Sequence, residues 1–224
     1  MAAAAIPQSA DPSERLKIIQ IQVGGFYGLY DIARYHLETY RQILQSVSND
    51  DERLQLLQMK DILDRTVLHY VAEGSGTEIV QVILDSVNEE MRYTLLSMEN
   101  SLKWTPILTA CVYGNSEVLE MMMRLTTVET RYKLLQLHTE LGYTPLHLSA
   151  LLGRTQCISV IADSVSSQQL IHLLRSTDNE RSTPLQQAAR YNHHDLVELL
   201  QEYQTKALID VALQQTEPSG SYII

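Results

Sequence analysis

The chain has 224 residues, 45% hydrophobic and 20% charged, with a formal net charge of −10. That apolar content suits a folded chain of one or two ordinary domains, while the acidity and the lack of any Lys/Arg run argue against a nucleic-acid surface. Two cysteines, Cys111 and Cys157, make no disulfide scaffold, and nine Gly and six Pro favour helix over a turn-rich β-protein.

Met1 to Asp11 carry no charged n-region and no long apolar run, so no signal peptide is expected. No stretch reaches the roughly 18 apolar residues of a membrane span. The expectation is a soluble cytoplasmic protein, with the nucleus as the alternative, in which both thiols are reduced and buried. Residues 1–15 read as a flexible N-terminus and 16–60 as a degenerate capping unit. Within the latter Tyr27, Leu29 and Ala33 lie 39 residues before Thr66, Leu68 and Ala72, and apolar Tyr30, Ile32 and Tyr40 hold helical spacing. Gly24-Gly25 reads as a turn.

Residues 61–215 are built on a fixed step. It is carried by four boxes, Thr66-Val67-Leu68-His69, Thr105-Pro106-Ile107-Leu108, Thr144-Pro145-Leu146-His147 and Thr183-Pro184-Leu185-Gln186. Their threonines fall at 66, 105, 144 and 183, so the step is always 39. A period between about 20 and 50 marks one supersecondary unit stacked on copies of itself. Each threonine is suited to cap a helix, and proline fits the first helical position because its missing N–H costs nothing there. Six residues on lie small side chains, Ala72, Cys111, Ala150 and Ala189, that let a neighbouring helix approach. Nine residues on, Ser75, Gly114, Gly153 and Asn192 read as a helix stop, since Gly and Asn tolerate positive φ.

A second helix follows at Thr77–Asp85, Ser116–Arg124, Thr155–Asp163 and His194–Glu202, with apolar residues such as Ile79, Val82 and Ile83, or Leu196, Leu199 and Leu200, on one face. In Met121-Met122-Met123 two methionines are expected in the core and Met123 at the surface. A third, short helix is expected around the pairs Leu56-Leu57, Leu95-Leu96, Leu134-Leu135 and Leu173-Leu174, which keep the same step, and a separate one at Lys206–Gln215. Asp61, Asn100 and Asp178 open the turn to the next threonine. Residues 216–224, with Pro218-Ser219-Gly220-Ser221, read as a flexible tail.

The chemistry of a catalytic or metal site is not legible. No Cys/His set has zinc spacing, and no phosphate loop, nucleophile elbow or kinase signature occurs. Asp50-Asp51 and Glu89-Glu90 fall at helix starts, where negative charge suits the macrodipole. No metal, cofactor or enzymatic activity is expected.

The Thr-Pro-Leu-His box, the small residue, the mid-repeat glycine and the Val-x-x-Leu-Leu second helix together resemble the ankyrin repeat. Repeat three is closest, with Gly142, Thr144, Pro145, Leu146, His147, Ala150 and Gly153 in matching places. The family's usual unit is about 33 residues; here it is six longer, the addition lying where the Leu-Leu helix sits, and the usual Gly-Ala-Asp turn is missing. The resemblance implies an all-α, ankyrin-like helical solenoid with an extra short helix per repeat. It also implies that His69 and His147 hydrogen-bond between repeats.

In function it implies a non-catalytic adaptor or scaffold that binds another protein. The alternatives are a regulatory or targeting module of a larger signalling protein, or a host-binding effector of an intracellular bacterium. The family's concave face maps onto Arg65, Trp104, Tyr143 and Ser182 before the threonines, and onto Glu73, Gly74, Val112, Tyr113, Leu151, Leu152, Arg190 and Tyr191 on the first helices. Trp104 has two readings, a contact for the partner or a plate that seals adjacent turns. Tyr222-Ile223-Ile224 is a second candidate, a weak PDZ-type contact through Tyr222 and Ile224.

Overall fold

A threonine followed by proline starts a helix because its hydroxyl satisfies an otherwise orphaned N–H. The computed structural model, which describes residues 24–47, 49–74 and 76–216, carries this out three times. The hydroxyls of Thr105, Thr144 and Thr183 accept from the N–H of Leu108, His147 and Gln186. The helices begin at Pro106, Pro145 and Pro184, and the Thr66 helix begins at Val67. The expected flexible N-terminus, the tail beyond Thr216 and the contact through Tyr222 and Ile224 lie outside the described residues.

The described residues form fourteen helices and no strand. In order they are α1 Gly25–Tyr35, α2 Leu37–Ser46, α3 Asp50–Leu57, α4 Val67–Glu73, α5 Thr77–Asp85, α6 Glu89–Leu96, α7 Pro106–Tyr113, α8 Ser116–Arg124, α9 Val128–Leu135, α10 Pro145–Leu151, α11 Thr155–Asp163, α12 Ser167–Arg175, α13 Pro184–Arg190 and α14 His194–Thr216. The chain divides into two units, Met1–Thr127 and Val128–Ile224.

In the first unit α4 packs on α7 and α5 on α8, while α1 pairs with α2. Its core holds Leu29, Tyr40, Leu56, Leu68, Ile83, Leu95, Ile107 and Met122. Phe26 and Tyr30 lie against Tyr70, with ring centroids 5.4 and 4.5 Å away. In the second unit α10 packs on α13, and α14 lies along both α12 and α13. Both thiols are free and buried.

The third helices give the elongated unit its grip. Arg92 on α6 donates through Nε to the Leu84 carbonyl at 2.8 Å and through Nη1 to the Leu125 carbonyl at 2.8 Å. One guanidinium therefore closes the C-terminal ends of two successive second helices, where cations also meet the negative end of the macrodipole. Arg53, which holds the same place one repeat earlier, reaches the carbonyls of Leu44, Val47 and Ser86. In the second unit Arg131 reaches Ser164 at 3.2 Å.

The turns before the threonines share another device. A side-chain oxygen of Asp61, Asn100 or Asp178 accepts from backbone N–H groups two and four residues on, at 2.8–3.1 Å. Thr139 accepts from Tyr143 N–H in the same way. The fourth residue of each turn has positive φ: Asp64, Lys103, Gly142 and Arg181. Only at Gly142 is the space also closed, because a Cβ there would lie 2.8 Å from the Asn179 nitrogen of the next turn. Adjacent turns are joined by the Ser101 N–H to the Leu63 carbonyl, and by Asn179 N–H to that of Leu141.

Two expectations need correction. Met123 is buried, and Met121 is the partly exposed methionine. The reason is the buried face of α8, which runs Val118, Leu119, Met122, Met123 and leaves Met121 at its margin. Likewise, the last second and third helices are one continuous 23-residue helix, α14. Earlier units break here: hydroxyls of Ser86 and Ser164 bond the carbonyls of Ile83 and Ile161, and Asn88 or Ser166 caps a new helix. The residue in the place of Ser166 is Thr205, whose hydroxyl donates back to the Gln201 carbonyl at 2.8 Å and so prolongs the helix.

Arg92→Ala removes donors from two helix ends and is expected to cost about 2 kcal/mol, as charged hydrogen bonds do. Arg92→Lys is expected to recover less than half, since an ammonium cannot fork between two carbonyls. Urea denaturation midpoints measure both; an unchanged midpoint in Arg92→Ala would mean that the clamp carries no stability.

Candidate functional site

The box histidines are structural. His69 is fully buried on α4, and its Nδ1 accepts from the Thr66 N–H at 3.1 Å. Its Nε2 therefore carries the proton and donates to the Trp104 carbonyl of the next repeat at 2.9 Å. His147 does the same in the second unit, donating from Nε2 to the Ser182 carbonyl at 3.0 Å. Burial lowers the His69 pKa from 6.5 to about 4 and shifts His147 the same way. Gln186 holds the box position of the last repeat. Its Oε1 accepts from Thr183 N–H at 2.8 Å, which keeps the cap without reaching outward.

Residues ten after the threonines also reach back. The Asn115 amide donates to the Gly74 carbonyl and lies 3.4 Å from those of Val71 and Ala72. His193 Nε2 donates to Leu151 at 3.0 Å. Gly153 has positive φ, and a Cβ on it would come within 2.9 Å of the His193 ring.

Of the positions before the threonines, Trp104 and Tyr143 are half-buried and Ser182 is buried, its carbonyl engaged by His147. Arg65 is turned to its own unit. It donates to Asp61 at 2.9 Å, pairs with Glu73 at 3.3 Å, donates to the Tyr70 hydroxyl at 2.6 Å and lies over the Tyr70 ring. Burial raises the Asp61 pKa, but donors from Arg65, Tyr70 and Leu63 outweigh it and hold the carboxyl below its ordinary range. Tyr143 has a raised pKa, from burial first and then from the carboxylates of Asp178 and Glu180.

On the first helices Glu73, Val112 and Leu151 are half-buried, while Arg190 is exposed and paired with Glu180 at 2.6 Å. The next position outward is open throughout. Gly74 and Tyr113 are exposed in the first unit, Leu152 and Tyr191 in the second. Sequence reasoning missed Tyr35, which lies one repeat step before Gly74 and is also exposed. It borders a groove of about 460 Å³ in the first unit, between Arg34, Leu37, Ile79 and Glu117. The turn tips were missed as well: Leu63 and Leu102 in the first unit and Leu141 in the second are exposed, each three residues before a threonine.

Among the described residues no group of three or more His, Cys, Asp or Glu converges to hold a metal. No described helix is long and apolar enough to cross a membrane.

Recurring capped helices, joined by side chains reaching from repeat to repeat, define a helical repeat protein. Residues 127–212 match the family model of ankyrin repeats (3 copies), so this part of the chain is similar to ankyrin repeats. Such repeats are in general protein–protein interaction modules. No curated protein matches the chain in sequence.

The neutral, buried His69 makes stability depend on pH. Between pH 6.5 and about 4 the unfolded chain binds a proton there and the folded chain does not, so stability falls on acidification and levels off below about pH 4. At about 1.4 kcal/mol per unit of pKa this amounts to about 3 kcal/mol from His69. His69→Gln is expected to be less stable than wild type at pH 7 and to show a flatter dependence from pH 6.5 to 4. Urea midpoints across that range test this; an equal slope in both proteins would assign the pH dependence to other groups.

Proposed function

We propose that the protein is a non-catalytic adaptor or scaffold whose partner protein docks on the first-helix and turn surface, the ankyrin-like concave face. The observation that carries this reading is the open position at the ends of the first helices, with Tyr35, Gly74 and Tyr113 in one unit and Leu152 and Tyr191 in the other. The side chains of Tyr35, Tyr113, Leu152 and Tyr191 are exposed, and tyrosine is among the residue types that dominate binding hot spots. Half-buried Trp104 and Tyr143 stand behind them as supports whose edges reach the partner. Val112 extends this surface in the first unit and Leu151 in the second. Arg65, Glu73 and Ser182 position the turns, and Arg190 with Glu180 forms a charged rim. The setting is the cytoplasm.

Capture from a eukaryotic lysate with wild type and with Tyr113→Ala and Tyr191→Ala, each checked for helical content, tests the proposal. Proteins held by wild type are expected to lose at least about tenfold in affinity for a variant that removes a hot-spot tyrosine. Undiminished capture by both folded variants would sink the concave-face reading.

A further inference from the structure

The donor that closes a first-helix end from the next repeat is replaced by glycine at one place. Asn115 serves the carbonyls of Gly74, Val71 and Ala72, and His193 serves that of Leu151. One repeat before Asn115 stands Gly76. Its φ is +144°, which side chains rarely adopt, and a Cβ on it would lie 3.0 Å from Ile79 Cδ1. The backbone therefore keeps glycine there, and no side chain reaches from it to the end of α1. At that end Ala33 and Tyr35 hold the places of Ala72 and Gly74. The space between them is the groove of about 460 Å³ in the first unit, lined by Ala33, Arg34, Tyr35, Gly76, Glu78 and Glu117 among others.

We propose that this groove receives an arginine side chain of the partner protein, which supplies the donor that Gly76 does not; the inference rests on the protein-binding reading above. The end of α1 is the negative pole of an 11-residue helix, which favours a cation. Helices α5 and α8 begin at the facing wall, and their positive ends are met by the first-turn carboxylates of Glu78 and Glu117. That wall is therefore acidic and does not suit an anion. Both carboxylates are exposed, and among the described residues neither forms an ion pair. Arg34, the basic residue of the lining, is turned to the Tyr30 hydroxyl at 3.3 Å and lies 5.3 Å from the centre of the Tyr35 ring. Tyr35 is 65% exposed, so its ring is open to a second guanidinium, in the manner of Arg65 over Tyr70 at 4.2 Å. Arginine suits the groove better than lysine because the acceptors are spread. At the equivalent helix end the Asn115 amide meets three carbonyls, and a planar fork spans several acceptors where an ammonium is a point charge. Arg92 spans two helix ends in this way within the same unit. The net charge of −10 adds a general attraction for a basic segment.

Titration of the full chain with N-acetyl-arginine amide, followed through the backbone amide resonances of residues 33–37 and 76–79, tests this. N-acetyl-lysine amide and sodium phosphate are the comparison probes. Saturating shifts at those amides are expected with the arginine probe, binding about threefold or more tighter than the lysine probe, and none there with phosphate. In the double variant Glu78→Gln/Glu117→Gln, checked for helical content, affinity for the arginine probe is expected to fall about fivefold, as the loss of two exposed ion pairs implies. No saturating shift with arginine, equal affinity for lysine, a phosphate response at the same amides, or unchanged affinity in the folded double variant overturns the proposal. The probe needs no partner protein, so failure here leaves the concave-face reading standing. That reading fails separately, through undiminished capture by Tyr113→Ala and Tyr191→Ala.

Discussion

A buried carbonyl in a turn or at a helix end must find a donor, and an array of short helices multiplies that demand. These units meet it with side chains borrowed from their neighbours. The Trp104 carbonyl is given the His69 Nε2 proton, Leu125 is given the Arg92 guanidinium, and Gly74 is given the Asn115 amide. In the second unit Ser182, Ser164 and Leu151 are served by His147, Arg131 and His193. Each donor lies more than thirty residues from its acceptor and one repeat away. Stacking and polar satisfaction are therefore the same event, and a repeat removed from its neighbours would leave these carbonyls orphaned.

The threonine boxes, the helix stops at Gly114, Gly153 and Asn192, and the three short second helices were legible in the sequence because each is set by neighbours within a few residues. So was the cross-repeat role of His69 and His147, which the family resemblance supplied. The arginine clamps were not. Arg53, Arg92 and Arg131 keep the repeat register, but nothing local distinguishes a clamp from a solvated helix charge. Their acceptors become visible only when two second helices stand side by side. Helix α14 escaped for the opposite reason. Its break was inferred by analogy with earlier units, whereas the local residues Tyr203-Gln204-Thr205 offer no stop and Thr205 bonds backward. The surface residues were only partly legible, because exposure is what remains after packing: Arg65 and Ser182 sit in the same register as Trp104, yet the Arg65 guanidinium is engaged by Asp61 and Glu73 and Ser182 is buried.

The same demand for donors sorts the surface. Side chains that point along the stack are consumed by it, as His69, Asn115 and Arg92 are. Those at the ends of the first helices project past the carbonyls and are left over, which is why tyrosine is tolerated at 35, 113 and 191. A large aromatic ring exposed at a recurring position costs apolar hydration at each one.

The added third helix belongs on the stabilising side of this division. Here the chain inserts a short helix whose paired leucines are buried. Its arginine fastens the second helix before it to the one that follows. The insertion enlarges the core of each step and supplies a cross-link, while the acidic first turns of α3 and α6 keep its outer edge soluble.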